Sequence, residues 1–471
     1  MKILRNIFYN TMIRLGFQLS RFTSHISPFT SHVSRFTFVC CIFFYIPNVS
    51  AQEILTPEEA IGTALQNNYE IRLSRNDSII FAIDQSYSKA AFLPTIDGNG
   101  GLLFNNNNQK QKLADGNDRK ASGIKSRNLN ASIALDWVLF DGFKMFATRD
   151  KLKEFLLLGD LIIKNQIINV VAEVVNTYYN IVRQKQQLKA VEEQMDLNRQ
   201  RLRLAEIKLE VGLGIKPDVL QAKLDLNAQI STQLRQQTLI TQIKGDLNRL
   251  MAVDKGVNYD VFDSIPIDTT LSLSEVKRNI AQTNPELLLT RKNIDIANIT
   301  LRERRAERLP TVSFNSAYNF SQTNNNTVIN SFSPLFNQNK GFNYGLTARV
   351  PIFNNYIAKR NIKQAQADID FRRLTLENQT SLLVTNVENA FRTYELQKKQ
   401  LALEEINIAL AKENVFIAYE RYKQGVTTFL ELREAQKSLE DAYNRLIAAR
   451  YETKVAETEL LRLKGDLVRK L

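Results

Sequence analysis

A duplication of about 210 residues constrains the fold of this 471-residue chain more than any other feature. In the first part of the repeat, matching positions lie 216 residues apart, and beyond an Asn-rich stretch they lie 213 apart. The matching pairs include Asn68 with Asn284, Leu93 with Leu309, Gly212 with Gly425, Asp218 with Glu431, and Leu250 with Leu463. Because self-similarity of this kind means that one structural plan is used twice, the sequence predicts a first unit over 52–254, a linker over 255–270 and a second unit over 271–471.

The first 51 residues have the composition of a secretory leader. They contain five basic residues and no acidic one, and an apolar run is followed by a small-x-small sequence that ends at Ala51. This order predicts a signal peptide over 1–51, whose long basic segment suggests an over-extended start. Both cysteines and both histidines of the chain lie in its first 41 residues. The mature chain would therefore lack thiols and imidazoles, which excludes Cys and His nucleophiles, Cys/His zinc sites and disulfides.

Each unit contains three segments with a helical pattern. The shorter ones, 57–92 and 273–308, end before the proline of a Leu-Pro-Thr sequence. The long ones, 143–209 and 355–423, contain no proline and could each extend roughly 100 Å. The helix that returns from the second long segment repeats small and apolar residues at steps of three and four: Leu432, Ala435, Leu439, Ala442, Leu446, Ala449, Thr453, Ala456, Leu460, Leu463 and Leu467. This seam predicts coiled-coil packing. The matching seam of the first unit should be less dry, because it carries Gln229, Gln233 and Gln236.

Four segments between the helices alternate apolar and polar residues with a period of two. Runs of about ten residues with one apolar face, one Asn/Ser/Thr face and aromatic side chains near their ends are typical of outer-membrane β-strands. The residues predicted to face the membrane are Leu129, Ile133, Leu135, Trp137, Phe314, Tyr318, Phe342, Tyr344 and Leu346. A soluble antiparallel sheet with one wet face would show the same alternation. The Asn-rich stretches 105–126 and 322–340 are predicted to be exposed loops.

The number of strands limits how such a sheet could span a membrane. Four strands cannot close a barrel alone, because about eight is the minimum. Two or more copies of the chain would therefore have to share one barrel. The strand ends opposite the loops lead directly into the helices, so the helical part would lie on the other side of the membrane, in the periplasm.

The tandem helix-strand-strand-helix-turn-helix units resemble the TolC-like outer membrane efflux proteins. The resemblance covers about residues 53–467 and includes the Leu-Pro-Thr helix exits at 93–95 and 309–311 and the turn 211–214 with the following 218–222. It implies an α+β membrane protein that assembles as a homotrimer. In such a trimer, each tandem-repeat protomer contributes four strands to a shared 12-stranded transmembrane barrel, and the long coiled-coil helices form a periplasmic α-helical barrel.

The resemblance also implies partners at the helix-turn tips. In the family, these tips meet the hairpin of a periplasmic adaptor, or membrane fusion, protein that is attached to an inner-membrane transporter. The matching residues here are Val211, Gly212, Leu213 and Gly214 in the first unit and Gln424, Gly425 and Val426 in the second. Glycine in a tight turn needs no partner to explain it. The second tip lacks the leucine of the first, so the resemblance implies unequal docking of the adaptor at the two tips.

A gate near the tips follows from the same resemblance. Glu431 and Glu434 match the acidic rings that constrict the family's tunnel, and three chains would place six carboxylates around a narrow bore that favours cations. The alternative for these residues is an ordinary solvated face. Asp218 and Tyr422 match members of the polar link that holds the gate shut, but Thr427 stands where the family usually has an arginine. The lock is therefore predicted to be weaker or formed by other contacts.

The function predicted from these features is a passive exit duct. An outer membrane channel of a tripartite efflux or type I secretion system would conduct substrates received from the adaptor and the inner-membrane pump. No enzyme activity, metal or cofactor is predicted. Nor is nucleic acid binding, because the net charge of +13 falls to +8 without the five leader bases and the basic run 302–308 precedes a strand of the membrane sheet. The alternative is a secreted or periplasmic soluble coiled-coil protein with a structural or interaction role.

Overall fold

The computed structural model describes residues 54–112, 114, 116–254, 256–329 and 332–470, so the predicted signal peptide over 1–51 lies outside the described residues. The elements of the first half are β1 Ile54–Leu55, α1 Pro57–Asn67, α2 Tyr69–Ser86, a 3-10 turn at Ser88–Phe92, β2 Thr95–Lys112, β3 Asp118–Phe140, α3 Lys144–Glu210 and α4 Lys216–Met251. Those of the second half are β4 Asp260–Val261, α5 Leu273–Lys277, α6 Ile280–Thr283, α7 Pro285–Ala306, β5 Thr311–Asn325, β6 Phe336–Arg349, α8 Ile357–Lys423, α9 Phe429–Lys464 and α10 Leu467–Lys470.

The two halves share helix lengths and backbone turns. Helices α3 and α8 both have 67 residues, and α4 and α9 both have 36. Left-handed backbone conformations occur at equivalent positions, namely Gly142 with Asn355, Gly212 with Gly425, and Ala252 with Gly465. Glycine and asparagine adopt positive φ at low cost, whereas alanine does so only under constraint. The chain therefore turns in the same way at each pair of equivalent positions.

The first helical segment of each unit is interrupted, which corrects the prediction of continuous helical segments over 57–92 and 273–308. The Asn68 side chain accepts hydrogen bonds from the amides of Glu70 and Ile71, and its Nδ2 donates to the Leu250 carbonyl at 2.7 Å. Asn284 repeats this arrangement, donating to the Leu463 carbonyl at 2.9 Å. The asparagine thus caps a new helix while it binds the end of a long helical hairpin, and this tertiary contact favours the break over helix continuation.

The strands form one antiparallel sheet in the order β2-β3-β5-β6. They are longer than predicted, with 18, 23, 15 and 14 residues. The prediction of loops over 105–126 and 322–340 is wrong for most of these residues, because paired strands continue to Lys112 and Asp118 in the first hairpin and to Asn325 and Phe336 in the second. In these stretches the strands pair through their backbones although they have no apolar face. The strand prediction depended on such a face, so it ended too early.

The helices pack along the seams that the sequence indicates. All eleven seam residues of the second unit, from Leu432 to Leu467, are buried. The three seam glutamines of the first unit are only partly buried and form hydrogen bonds, for example from Gln229 to Glu440 at 3.2 Å and from Gln233 to Glu192 at 3.3 Å. The structure therefore confirms that the first seam is less dry. Near the middle of the long helices, β1 pairs in parallel with β4 beside the largest hydrophobic cluster.

Candidate functional site at the helix tips

The two helical hairpins end in similar tight turns. In the first, the Leu213 amide donates to the Lys208 carbonyl at 2.8 Å, and in the second the Val426 amide donates to the Arg421 carbonyl at 2.9 Å. These bonds close a helix C-terminus around a glycine at φ 76°, Gly212 or Gly425. The glycines therefore have a structural role that would hold without any partner.

The predicted docking residues lie at the ends of these turns. Leu213 is 81% exposed, and Val211 and Val426 are also largely exposed. Gly214 allows a close approach, because a Cβ at this position would lie 2.9 Å from the Leu209 amide nitrogen. Position 427 is the equivalent of Gly214 in the second tip and carries threonine. The two tips thus differ in shape as well as in apolar exposure.

A groove of about 810 Å³ separates the tips and contains the predicted gating link. Asp218, Tyr422 and Thr427 all line it, together with Leu213, Gly214, Gln424 and Gly425. The three residues that the sequence analysis assigned to the link therefore lie close together in one groove. The bonding differs from a simple three-membered link, because the Thr427 hydroxyl hydrogen-bonds the Glu431 carboxylate.

Tyr422 is held in this groove by a lysine from the other hairpin. The Lys208 ammonium lies 3.8 Å from the centroid of the Tyr422 ring and donates to the Tyr422 carbonyl at 2.5 Å. Burial raises the pKa of the Tyr422 phenol above its ordinary value, and the negative charge of Asp218 raises it further. The phenol therefore stays neutral and can donate a hydrogen bond at physiological pH.

An ionic cluster that the sequence analysis did not find joins the hairpins just above the groove. The buried Arg201 guanidinium on α3 donates to Asp225 on α4 at 2.5 Å and to Gln436 on α9 at 2.8 Å. Arg433 on α9 donates to the same Asp225 carboxylate at 3.1 Å. Burial lowers the pKa of Arg201, and Asp225 opposes that shift. Asp225 is thus shared between two cations on different helices.

A signal for this cluster was present in the sequence. Gln194, Asn198, Arg201 and Ala205 repeat at steps of three and four along α3, and all four are buried. Long polar side chains in a helical seam must find partners, because an unpaired buried charge is costly. The spacing could have identified Arg201, but not the helix that supplies its partner.

The two predicted pore carboxylates lie on the exposed part of α9. Glu431 and Glu434 are both exposed in the single chain, and neither is buried by the hairpin that carries it. The Glu431 amide donates to the N-cap hydroxyl of Thr428 at 3.2 Å. The carboxylates are therefore available to face a bore or solvent.

The sheet forms the other candidate surface. Strand register places all nine predicted membrane-facing residues on one face, because Ile133 is opposite Tyr318 and Trp137 is opposite Phe314, while Tyr318 is opposite Phe342. Several of these side chains are highly exposed, including Leu346 at 69% and Tyr344 at 73%. The other face is polar and carries residues such as Asp136 and Asn315, which hydrogen-bond each other. A broad exposed apolar face of this kind is typical of a surface that contacts lipid or another protein.

Comparison with known proteins assigns the family. The model of the outer membrane efflux protein family matches residues 61–253 and 276–466, which is most of the chain. The probable efflux pump outer membrane protein TtgC of Pseudomonas putida is 21% identical over 414 residues, covering 87% of this chain and 82% of TtgC. The alkaline protease secretion protein AprF of Pseudomonas aeruginosa is 20% identical over 418 residues, covering 85% of this chain and 84% of AprF.

Solved structures share the fold. The channel protein CusC superposes with a TM-score of 0.71 at 18% identity, covering 87% of this chain and 92% of CusC. The outer membrane protein VceC from Vibrio cholerae superposes with a TM-score of 0.69 at 14% identity, covering 87% of this chain and 96% of VceC. The alternative of a soluble coiled-coil protein is therefore not supported. The chain belongs to the outer membrane efflux protein family.

Proposed function

We propose that three copies of this chain form a passive exit duct across the outer membrane. One observation carries the proposal: the chain contributes a four-stranded sheet with one exposed apolar face, and the ends of that sheet opposite its polar hairpin loops lead into helices of 67 residues. Each such helix would extend roughly 100 Å. A membrane sheet with helical extensions of this length has the dimensions of a channel that continues through the periplasm.

The open edges of the sheet support assembly. Within the chain, β2 and β6 are each paired on one side only. In lipid, unpaired backbone amides and carbonyls are costly, so membrane-spanning sheets close into barrels. Pairing of β2 from one copy with β6 from the next closes the sheet, and three copies give the 12 strands that the family resemblance implies.

The tips are proposed to receive a periplasmic adaptor. Apolar contact area is supplied by the exposed side chains of Leu213 and Val426. The groove between the hairpins supplies a recess beside them. Because Leu213 is more exposed and has no leucine counterpart in the second tip, the first tip contributes the larger apolar contact. The adaptor would in turn connect the duct to an inner-membrane transporter.

The gate is proposed to lie beside this docking surface. Glu431 and Glu434 from three copies would form a ring of carboxylates, and rings of acidic side chains favour cations. Asp218, Tyr422 and Thr427 would hold the two hairpins in the closed arrangement through the shared groove. Movement of the hairpins when the adaptor binds would widen the ring.

The names of the related proteins support two proposed transport systems for this chain. They include proteins named for efflux pumps and proteins named for protease secretion, so efflux and type I secretion are the two systems proposed for this chain. In both, energy would come from the inner-membrane transporter. The duct itself would conduct passively.

Fractionation and mass determination test the assembly. Full-length protein expressed in a Gram-negative host should stay in the membrane pellet after a carbonate wash, and light scattering of the detergent-purified protein should give the mass of three chains. Release by carbonate would contradict the membrane assignment, and a monomeric mass would contradict the shared barrel.

A further inference from the structure

The first strand hairpin extends well past the second. Arg127 on β3 is opposite Asn324 on β5, near the end of that strand, whereas β2 and β3 continue as a two-stranded ribbon to Lys112 and Asp118. This ribbon lies at the end of the sheet opposite the helices. In the proposed channel it therefore projects from the outer surface of the membrane.

The ribbon carries its positive charge on one face. Paired residues project to the same side of a sheet, and alternate residues along a strand share that side. By this register, one set of basic residues lies on the same face as the apolar pair Leu102 and Leu129. The register shifts between Asn107 and Gln109, and beyond the shift Lys110 of β2 pairs with Lys120 of β3. We call this set the basic rim; its members are Lys110, Lys112, Lys120, Lys125 and Arg127. The opposite face of the ribbon carries one described basic residue, Arg119, among neutral side chains.

The order of side chains along this face matches the layers of a membrane surface. The apolar band ends at aromatic residues, among them Phe104, which is 69% exposed. The Arg127 guanidinium lies 6.0 Å from the centroid of the Phe104 ring, and the other rim residues follow towards the ribbon tip. Aromatic side chains mark the interface of outer-membrane barrels, so the basic rim would lie at headgroup level.

The rim keeps most of its charge. Among the described residues, Asp118 is the one carboxylate on this face of the ribbon, and it pairs with Lys110 at 3.3 Å. Five basic side chains and one carboxylate leave a charge of +4 on this face of the ribbon in each chain. If these charges served ion selection they would be on the polar face, towards the bore. They lie instead on the face that meets lipid.

We propose that the basic rim binds the phosphate groups of the glycolipid in the outer leaflet of the outer membrane. Lysine and arginine suit phosphate because they form charge-assisted hydrogen bonds with its oxygens. The site rests on the proposed function, since it requires the apolar sheet face to meet lipid. The proposed ligand, the glycolipid, differs from uncharged lipids in the phosphate charge that it places at the outer surface.

Two charge-matched variants test the site. Detergent-purified full-length protein is titrated with bisphosphorylated lipid A and with its dephosphorylated form, and native mass spectrometry measures the bound fraction. Lys120→Gln/Lys125→Gln should weaken binding of the phosphorylated form by about 10- to 30-fold, as expected for two cations near an anionic surface. Arg119→Gln/Arg349→Gln removes two charges from the opposite face and should change binding by less than about twofold, because side chains pointing away from the lipid make no contact with it.

Each outcome decides between explanations. Equal affinity of the wild-type protein for the two lipid forms, or an equal loss in both variants, contradicts the site. Displacement of lipid A by inorganic phosphate at the same concentration would show a site for soluble anions and would also contradict it. If these results came from protein that forms channels in planar bilayers, the proposed duct would stand without the lipid site. Protein that carbonate removes from membranes would contradict both.

Discussion

Arg201 and Asp225 form a buried ion pair between the two helices of the first hairpin, with 2.5 Å between the guanidinium nitrogen and the carboxylate oxygen. Arg201 is only 2% exposed, and Asp225 also receives Arg433 from the second hairpin. The pair thus joins both hairpins directly above the groove that contains the proposed gate. A substitution of Arg201 can therefore change the stability of the tips without changing the proposed gate residues.

Arg201→Met should loosen the tips. Removing one member of a buried pair commonly costs about 3–5 kcal/mol, and we expect a loss near 3 kcal/mol because Arg433 still faces Asp225. Hydrogen exchange of the 205–225 and 418–436 amides measures the free energy of local opening. Arg199→Met is the control, because its pair with Asp196 is more than half exposed and should contribute less than about 1 kcal/mol. Equal effects of the two variants would contradict a special role for Arg201.

Gly142→Ala should destabilise the junction between the sheet and the first long helix. Gly142 has φ 71°, and a Cβ there would lie 2.6 Å from the Ala306 carbonyl oxygen and 2.7 Å from the Leu309 Cβ. The left-handed conformation alone costs alanine about 1–2 kcal/mol, and the contacts add to it. The apparent Tm measured by circular dichroism should fall.

Gly245→Ala is the control for that change. Gly245 lies within helix α4, and a Cβ there would have no neighbour within 4 Å. Alanine is the better helix former by about 1 kcal/mol, so the apparent Tm should stay level or rise. A fall as large as that of Gly142→Ala would mean that backbone geometry at residue 142 is not the cause.

Lys185 should make the stability of the chain sensitive to acid. Its ammonium lies 2.7 Å from Asp260 and 2.7 Å from Asp263, and it anchors β4 to α3. Burial alone would raise the pKa of Asp260, but the hydrogen bond from Lys185 and that from the Val261 amide lower it below the ordinary value. A carboxylate with a lowered pKa stabilises the fold above its unfolded pKa of about 4, and this stabilisation is lost as the pH falls through the folded pKa.

Lys185→Met therefore has a predicted pH profile. The apparent Tm of the variant should be below that of the wild type at pH 7, and the difference should shrink as the pH falls below about 4, because Asp260 is protonated there in the unfolded chain and then, at the lowered pKa, in the folded wild type. Thermal scans from pH 7 to pH 3 measure this. Lys189→Met, about one turn away on the same helix, is the control, and any decrease in its Tm should be small and the same at every pH. A difference for Lys185→Met that stays constant down to pH 3 would contradict the ion-pair explanation.

Barrel closure can be tested by cross-linking, because the mature chain is predicted to lack cysteine. Asn99→Cys on β2, combined in turn with Asn339→Cys or Gly341→Cys on β6, should give disulfide-linked oligomers up to the trimer. The bond forms where the Cα atoms lie within about 4.4–6.8 Å. Asn130→Cys with Ser321→Cys joins residues that pair inside the chain and should give monomers only. Absence of intermolecular bonds at every β6 position would contradict β2–β6 pairing between copies.

Local patterns predicted much of this fold. The coiled-coil seam from Leu432 to Leu467 and the single apolar face of the sheet follow directly from periodicity, and both occur in the structure. The helix break at Asn68 did not follow, because it depends on the Leu250 carbonyl of another helix. Likewise, Arg201 occupies a helical seam position, but its partner Asp225 is set by the hairpin turn. The residue spacing within one helix or strand does not show which distant element it contacts.

The strand ends were missed for a different reason. The stretch from Asn105 to Lys112 has no apolar alternation, so it lacks the pattern that predicts a strand. Its backbone nevertheless pairs with β3, because an antiparallel ladder can continue wherever both chains are extended. The polar extension carries most of the basic rim, a surface that a predicted loop does not reveal.

Single-channel conductance in planar bilayers tests the central claim most directly. Purified wild-type protein should give uniform, cation-preferring steps, because three copies in the proposed trimer would bring six carboxylates to the constriction. The Glu431→Ala/Glu434→Ala variant should show altered conductance and a weaker cation preference, whereas Glu452→Ala, about 27 Å further along the same helix, should match the wild type. Wild-type protein that gives no conductance steps would contradict the duct, and unchanged conductance and cation preference in the double variant would contradict the acidic gate.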